Sequence, residues 1–368
     1  MKKVISFILT FALMLSMASC ASAPVGVEST PTSMPEKDPA TAGAAETSTV
    51  TEPATETLTE PPISGTLFLT VSAITFSVVG EAEDIYAGSV PREAVTWSVA
   101  DESVATFRDG ILTATGVGTT TAVAEFEDQR IACSVGCLAA TEAELKTLSK
   151  EILHSPKRYP PTQSALPDTY FDDAAIIGDS ISYVLFQIEA ADDLMGSPLF
   201  LVRGGAGLQG IVNGFYPIIY RGEPTHPADA LAASGVTKAF IMMAQNDLSY
   251  TPIDETMEYW KLLMDEITEK NPDVEIFIQS TLPECFDLPH TAEKNQIIYE
   301  HNRLLQEYAA GQGFHYLDIA KYIEDHCGNM AAVYSQDDGI HMVRQGCHIW
   351  VQVLKTYVEI LQIQGQLP

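Results

Sequence analysis

Apolar residues are distributed along this chain in four regimes. They dominate from Val4 to Leu15, broken only by Ser6 and Thr10, nearly vanish between Ala21 and about Pro62, return as short β-branched runs from Gly65 to Leu138, and from Ala174 onward alternate between short and long periods. Each regime predicts a different kind of structure.

In the third regime the runs are TLFLTVSAITFSVVG, AVTWSVA, SVATFRDG, ILTATGVGTTTAVAEF and RIACSVGCL, separated by Gly, Asp and Pro with no helix-length pattern between them. Alternation with turn signals at this spacing predicts a small antiparallel β-sandwich. Thr141 to Ile152 then reads as a short amphipathic helix, and SPKRYPPTQSALPDTY as an irregular connection.

The fourth regime predicts strands at Ala174–Ile177, Leu199–Val202, Ala239–Met243, Val274–Ile278 and His315–Leu317. Helical patterns follow Ser180, span Ile253 to Lys270 and Glu293 to Ala310, and close the chain from Arg344 to about Gln362. Short apolar strands alternating with helices of this length argue for a parallel sheet covered on both faces, here a five-stranded three-layer α/β/α sandwich. In such sheets, ligands sit at the carboxyl ends of the strands.

Lys2 and Lys3, the apolar run and Ser16-Met17-Ala18-Ser19-Cys20 form a targeting segment. Small residues directly before a cysteine resemble a bacterial lipobox, which implies lipidation of Cys20 and a protein held at the outer face of the cell membrane; plain secretion is the alternative. No other run reaches the roughly 18 apolar residues of a membrane helix. From Gly26 to Pro62 there are seven acids and one lysine among Thr, Pro, Ser and Ala. Such a stretch buries too little surface to offset its ordering entropy and predicts an extended tether.

The formal net charge of −29 over 368 residues, without a basic stripe, argues against a nucleic-acid partner. Six cysteines leave five thiols once Cys20 is lipidated. Export permits disulfides, but their pairing is not legible, and the spacing lacks the CxxC pairs of a zinc site.

Candidate chemistry gathers at the strand ends. Ser180 follows the first strand as the first residue of a helix, where unpaired N–H groups favour negative charge. Arg203-Gly204-Gly205-Ala206-Gly207 follows the second, Ala244-Gln245-Asn246-Asp247 the third, and Asp338-Gly339-Ile340-His341 precedes the last helix. Acyl transfer by a serine needs a base, an acid to orient it and donors for the developing oxyanion.

These blocks resemble those of the SGNH (GDSL) hydrolase family over about Phe171 to Gln362. The resemblance implies Ser180 as nucleophile, His341 as base, Asp338 as its orienting acid, and an oxyanion hole of the Ser180 N–H, Gly207 and Asn246. Gly205 is the alternative to Gly207. Ala244 stands where the family has glycine. No metal or organic cofactor is implied. The segment VTWSVADESVATFRDGILTATGVGTTTAVAEF resembles the bacterial immunoglobulin-like domain, group 2, with Trp97 as its core tryptophan and Asp109-Gly110 as a turn.

The resulting expectation has five parts: a lipoprotein signal peptide at 1–20, a linker at 21–62, an Ig-like domain at 63–138, a connecting helix and loop at 139–168, and an SGNH hydrolase domain at 169–368. Its function would be surface ester hydrolysis, on O-acetyl groups of polysaccharide or peptidoglycan, with possible glycan contact through the Ig-like part. A catalytically silent carbohydrate-binding or adhesion protein is the competing class.

Overall fold

The computed structural model describes residues 65–108, 110–162 and 164–368. The targeting segment, Cys20, the tether and Asp109 lie outside the described residues.

Residues 73–139 form seven strands: β1 (Ala73–Val78), β2 (Ala82–Glu83), β3 (Thr96–Val99), β4 (Ala105–Arg108), β5 (Ile111–Ala114), β6 (Gly118–Phe126) and β7 (Gln129–Ala139). One sheet has the order β3-β6-β7-β1, extended by a short β8 (Arg158–Tyr159); a second has the order β2-β5-β4. Alternate residues of both, among them Ile74, Phe76, Leu112, Ala122 and Val135, enter one apolar core. The arrangement departs from the antiparallel expectation because β1 pairs in parallel with β7, Ala73 opposite Ser134 through Val78 opposite Ala139. Trp97 is half-buried at the rim, its ring stacked 3.7 Å from that of Phe107 and edge-on to Tyr86.

The stretch expected to be a helix and a loose connection is more ordered than its sequence suggests. It forms two short helices, Glu142–Leu145 and Lys150–Leu153, and then the strand β8, which pairs antiparallel with β1. Pro160 and Pro161 hid this edge strand, since proline cannot donate to a ladder and demotes a strand reading.

From Ala174 the chain builds a third sheet of strands β9 (Ala174–Gly178), β10 (Leu199–Val202), β13 (Lys238–Met242), β14 (Glu275–Gln279) and β15 (His315–Leu317). Between β10 and β13, a hairpin of β11 (Ile218–Tyr220) and β12 (Glu223–Thr225) stands apart. The order in the main sheet is β10-β9-β13-β14-β15, all parallel. All five residues of β9 are buried, as a strand covered on both faces must be. Ala174 and Ile176 pack into one apolar cluster with Leu185, Trp350 and Leu354, whereas Ala175 and Ile177 pack into another with Trp260, Leu263, Ile298 and Leu305. The first layer of helices is therefore Ser180–Asp192 with Arg344–Ile363, and the second is Ile253–Lys270 with Thr291–Gln312.

Residues 65–368 form one compact unit. Where the all-β part meets the α/β part, Tyr322 donates its hydroxyl to the carbonyl of Thr70 (3.0 Å). Arg158 is bracketed by Glu83 and Glu324, and Lys321 also reaches Glu83. Burial pushes the Glu83 carboxyl up, but Arg158 and Lys321 outweigh it and leave it below its usual value.

Candidate active site

Strand β9 ends at Gly178 because nothing larger fits there. A Cβ would run into the Ser182 side chain and come within 2.7 Å of the Met242 carbonyl oxygen. The tight crossing lets Asp179 serve as N-cap, its carboxylate accepting the Ile181 N–H at 2.9 Å. Ser180 follows as the first residue of the helix and is partly exposed at the carboxyl edge of the sheet.

Asp179 itself is 1 % exposed. Burial pushes its carboxyl up to about 7, and the Asp247 carboxylate adds to the rise, while the Ile181 N–H and the charge of His341 work against it. Its neighbours thus place Asp247 and His341 around the turn that carries Ser180.

His341 and Asp338 share one turn. His341 Nδ1 lies 2.6 Å from Asp338 Oδ2, and Asp338 Oδ1 accepts the backbone N–H groups of Ile340 (3.0 Å) and His341 (2.9 Å). Burial opposes the Asp338 charge, but those N–H groups and the imidazole prevail and hold the carboxyl below its usual range. Two outside contacts fix the turn: Cys285 N–H donates to the Gly339 carbonyl at 2.8 Å, and the Gln336 amide nitrogen donates to Met342 O at 2.8 Å. No hydrogen bond among the described residues joins Ser180 Oγ to His341, and such catalytic contacts often tighten only when substrate is bound.

The glycine-rich run after β10 is held by a residue absent from the sequence-derived site. Asp247 accepts the N–H groups of Leu208 (2.8 Å) and Gln209 (3.1 Å), capping from 39 and 38 residues away the short helix Leu208–Val212. Gly207 sits against this carboxylate, and a Cβ there would lie 2.8 and 2.9 Å from its two oxygens. Gly205 instead turns the chain at φ 73°. Asn246 ties the same loop from its side chain, donating one amide hydrogen to Ala206 O at 2.8 Å. A primary amide has a second hydrogen, which this contact leaves available.

Ala244 adopts φ 88° and is wholly buried. That is left-handed backbone in which a non-glycine residue is strained. Ser182 lies within the first turn of the helix that Asp179 caps. Its hydroxyl is fully buried and, among the described residues, without a hydrogen-bond partner.

Two histidines outside the site are buried. His301 accepts the Trp260 indole N–H at 3.0 Å, and His326 meets the Ser77 hydroxyl at 3.1 Å. Burial lowers His301 to about 4 and His326 to about 3, so both are neutral structural groups. Cys133, Cys137, Cys285, Cys327 and Cys347 are all free thiols.

The α/β sheet thus carries a hydroxyl, Ser180, at one strand end, and a carboxylate-bound imidazole, His341, in the turn before the last helix. Residues 176–349 match the model of the GDSL-like Lipase/Acylhydrolase family, and the match supports an ester-hydrolysing enzyme. Solved structures with similarity include a GDSL-like lipase from Bacteroides thetaiotaomicron (15 % identity, 55 % of this chain and 93 % of that one, TM-score 0.42). A carbohydrate esterase family 3 protein from Talaromyces cellulolyticus (13 % identity, 53 % and 99 %, TM-score 0.38) and a family 3 carbohydrate esterase from Clostridium thermocellum (14 % identity, 53 % and 98 %, TM-score 0.36) are also similar. No curated protein matches the chain.

Proposed function

We propose that the chain is a surface-anchored serine esterase that removes acyl groups, O-acetyl groups first among them, from polysaccharide or peptidoglycan. The observation that carries the reading is the His341–Asp338 pair, 2.6 Å apart, whose imidazole charge acts on Asp179, the residue before Ser180 at the end of β9.

In this mechanism Ser180 Oγ attacks the ester carbonyl and His341 Nε2 takes its proton. Asp338 holds Nδ1–H, fixing the tautomer and stabilising the imidazolium. The Ser180 N–H, the Gly207 N–H and the second amide hydrogen of Asn246 stabilise the oxyanion. His341 returns the proton to the alcohol, then activates a water that releases the acid from the acyl-enzyme. Asp247 is a positioning residue, because it acts through the loop that carries Gly207 and not on the substrate.

A sugar-bearing substrate is supported by the rings around these segments. Tyr183 lies one turn beyond Ser180, Tyr216 packs beside Gly205 and Gly210, and Tyr250, 93 % exposed, ends the turn that begins at Asn246. Exposed aromatic faces have an apolar surface suited to stacking on sugars. Lipidation at Cys20, the acidic tether and an Ig-like spacer over 63–138 would present the enzyme to the wall. Acetate release from acetylated xylan, acetylated peptidoglycan and a neutral lipid ester, each with the parent chain and Ser180→Ala, tests this assignment. Ser180-dependent release from the glycans supports it. Preference for the lipid ester overturns the substrate, and no release from any substrate favours a silent binding protein.

A further inference from the structure

We propose that His154, Asp325 and Cys327 form a binding site for a divalent transition-metal ion, with Zn²⁺ the best chemical match. One ring nitrogen of His154, a carboxylate oxygen of Asp325 and Cys327 Sγ lie within 4.8 Å of one another. None of the three belongs to the esterase machinery, and the inference does not depend on it.

The donors are held before any ion arrives. Asp325 opens a tight turn in which its Oδ1 accepts the N–H groups of Cys327 (2.7 Å) and Asn329 (2.9 Å) while Gly328 turns the chain at φ 76°. Oδ1 is thereby occupied, and Oδ2 faces His154 Nδ1 at 2.6 Å. His326, between the two donors on this turn, points to Ser77 instead, so Asp325 and Cys327 share one side. His154 is fixed from the other direction: its ring stacks 3.6 Å from that of Phe286, nearly parallel at 4°. Backbone bonds from His326 N–H to Leu153 O and from Ala332 N–H to His154 O, both 3.0 Å, lock its segment against the turn.

Local charge favours a cation. Among the described residues Asp325 forms no ion pair with Lys or Arg, and its side chain is fully buried. One imidazole, one carboxylate and one thiolate form a mixed borderline-soft set that suits Zn²⁺ over Mg²⁺ or Ca²⁺. Tetrahedral bonds of about 2.0 to 2.3 Å place donors roughly 3.3 to 3.7 Å apart. Binding would exchange the 2.6 Å hydrogen bond between His154 and Asp325 for bonds to the ion, with those two donors moving apart by under about 1 Å and the exposed Cys327 rotating toward them. The three residues stand at separations 171 and 2, which no CxxC-type spacing would reveal.

Co²⁺ and Zn²⁺ added to the purified full chain test the site. One equivalent of Co²⁺ should produce a near-ultraviolet thiolate-to-cobalt band that is displaced by Zn²⁺ and absent in Cys327→Ser. His154→Gln should weaken binding by tenfold or more. Cys327→Ser changes an exposed side chain, and an unchanged Tm in chelator shows that the variant is folded. Equal Co²⁺ binding by the parent and a folded Cys327→Ser, or no band in the parent, overturns the proposal and leaves the trio a hydrogen-bonded turn.

Discussion

Asp247 and Gly207 are fitted to each other: the carboxylate that caps the Leu208–Val212 helix occupies the space where a side chain at Gly207 would begin. The acid and the glycine therefore set the position of the loop together. Asp247→Ala should lower kcat by about 10²-fold with KM nearly unchanged, since displacing a catalytic donor by about 1 Å costs on that order. A comparable rise in KM with kcat intact would show that the loop binds substrate and does not position a donor.

Ala244→Gly should leave stability within about 1 kcal/mol of the parent. Relief of the left-handed backbone at φ 88° gains about 1–2 kcal/mol, while the lost buried methyl and the freer unfolded chain cost a similar amount. Urea unfolding measures it, and a loss above about 2 kcal/mol would mean the backbone is not strained there.

Asp179 makes a prediction with a defined sign. Burial raises its carboxyl in the folded state to about 7, well above the usual carboxylate range, so the unfolded chain releases its proton first as pH rises. Stability from this group is present below the unfolded value and falls as pH climbs through the window up to about 7, then levels. Asp179→Asn keeps a capping oxygen and cannot ionise. Its Tm should match the parent near pH 4 and exceed it at pH 8, whereas a pH-independent difference would refute the buried acid.

Arg158→Ala should cost several kcal/mol, about 3–5 for breaking a buried pair, because Glu83 and Glu324 lose their shared partner. Thermal unfolding reads the loss. At 25 °C, kcat on a soluble ester should be unchanged, as none of these residues lies at the catalytic turns. A surface-like loss below 1 kcal/mol would contradict the network's burial.

Much of the α/β part was legible because its signals are local. The strands at Leu199–Val202 and His315–Leu317 and the helix Ile253–Lys270 follow from apolar periodicity and from Asn271-Pro272, and Asp338 and His341 are close enough in sequence to read as one loop. What escaped notice is long-range. Asp247 acts on a loop about 40 residues earlier, Arg158 pairs with acids on both sides of it in the chain, and His301 looks like a surface residue until Trp260 is packed against it. Spacing carries no record of such contacts. The parallel β1–β7 pair was missed for the same reason, since short alternating strands specify a face but not a partner.

The most direct test of the account is kcat/KM for a chromogenic acetate ester with the purified chain, Ser180→Ala and His341→Ala. Each substitution should lower the value by about 10⁴-fold or more, with the double variant little worse than either single one, because a nucleophile and its base fail together. Activity that survives both substitutions would contradict the assignment of Ser180 and His341.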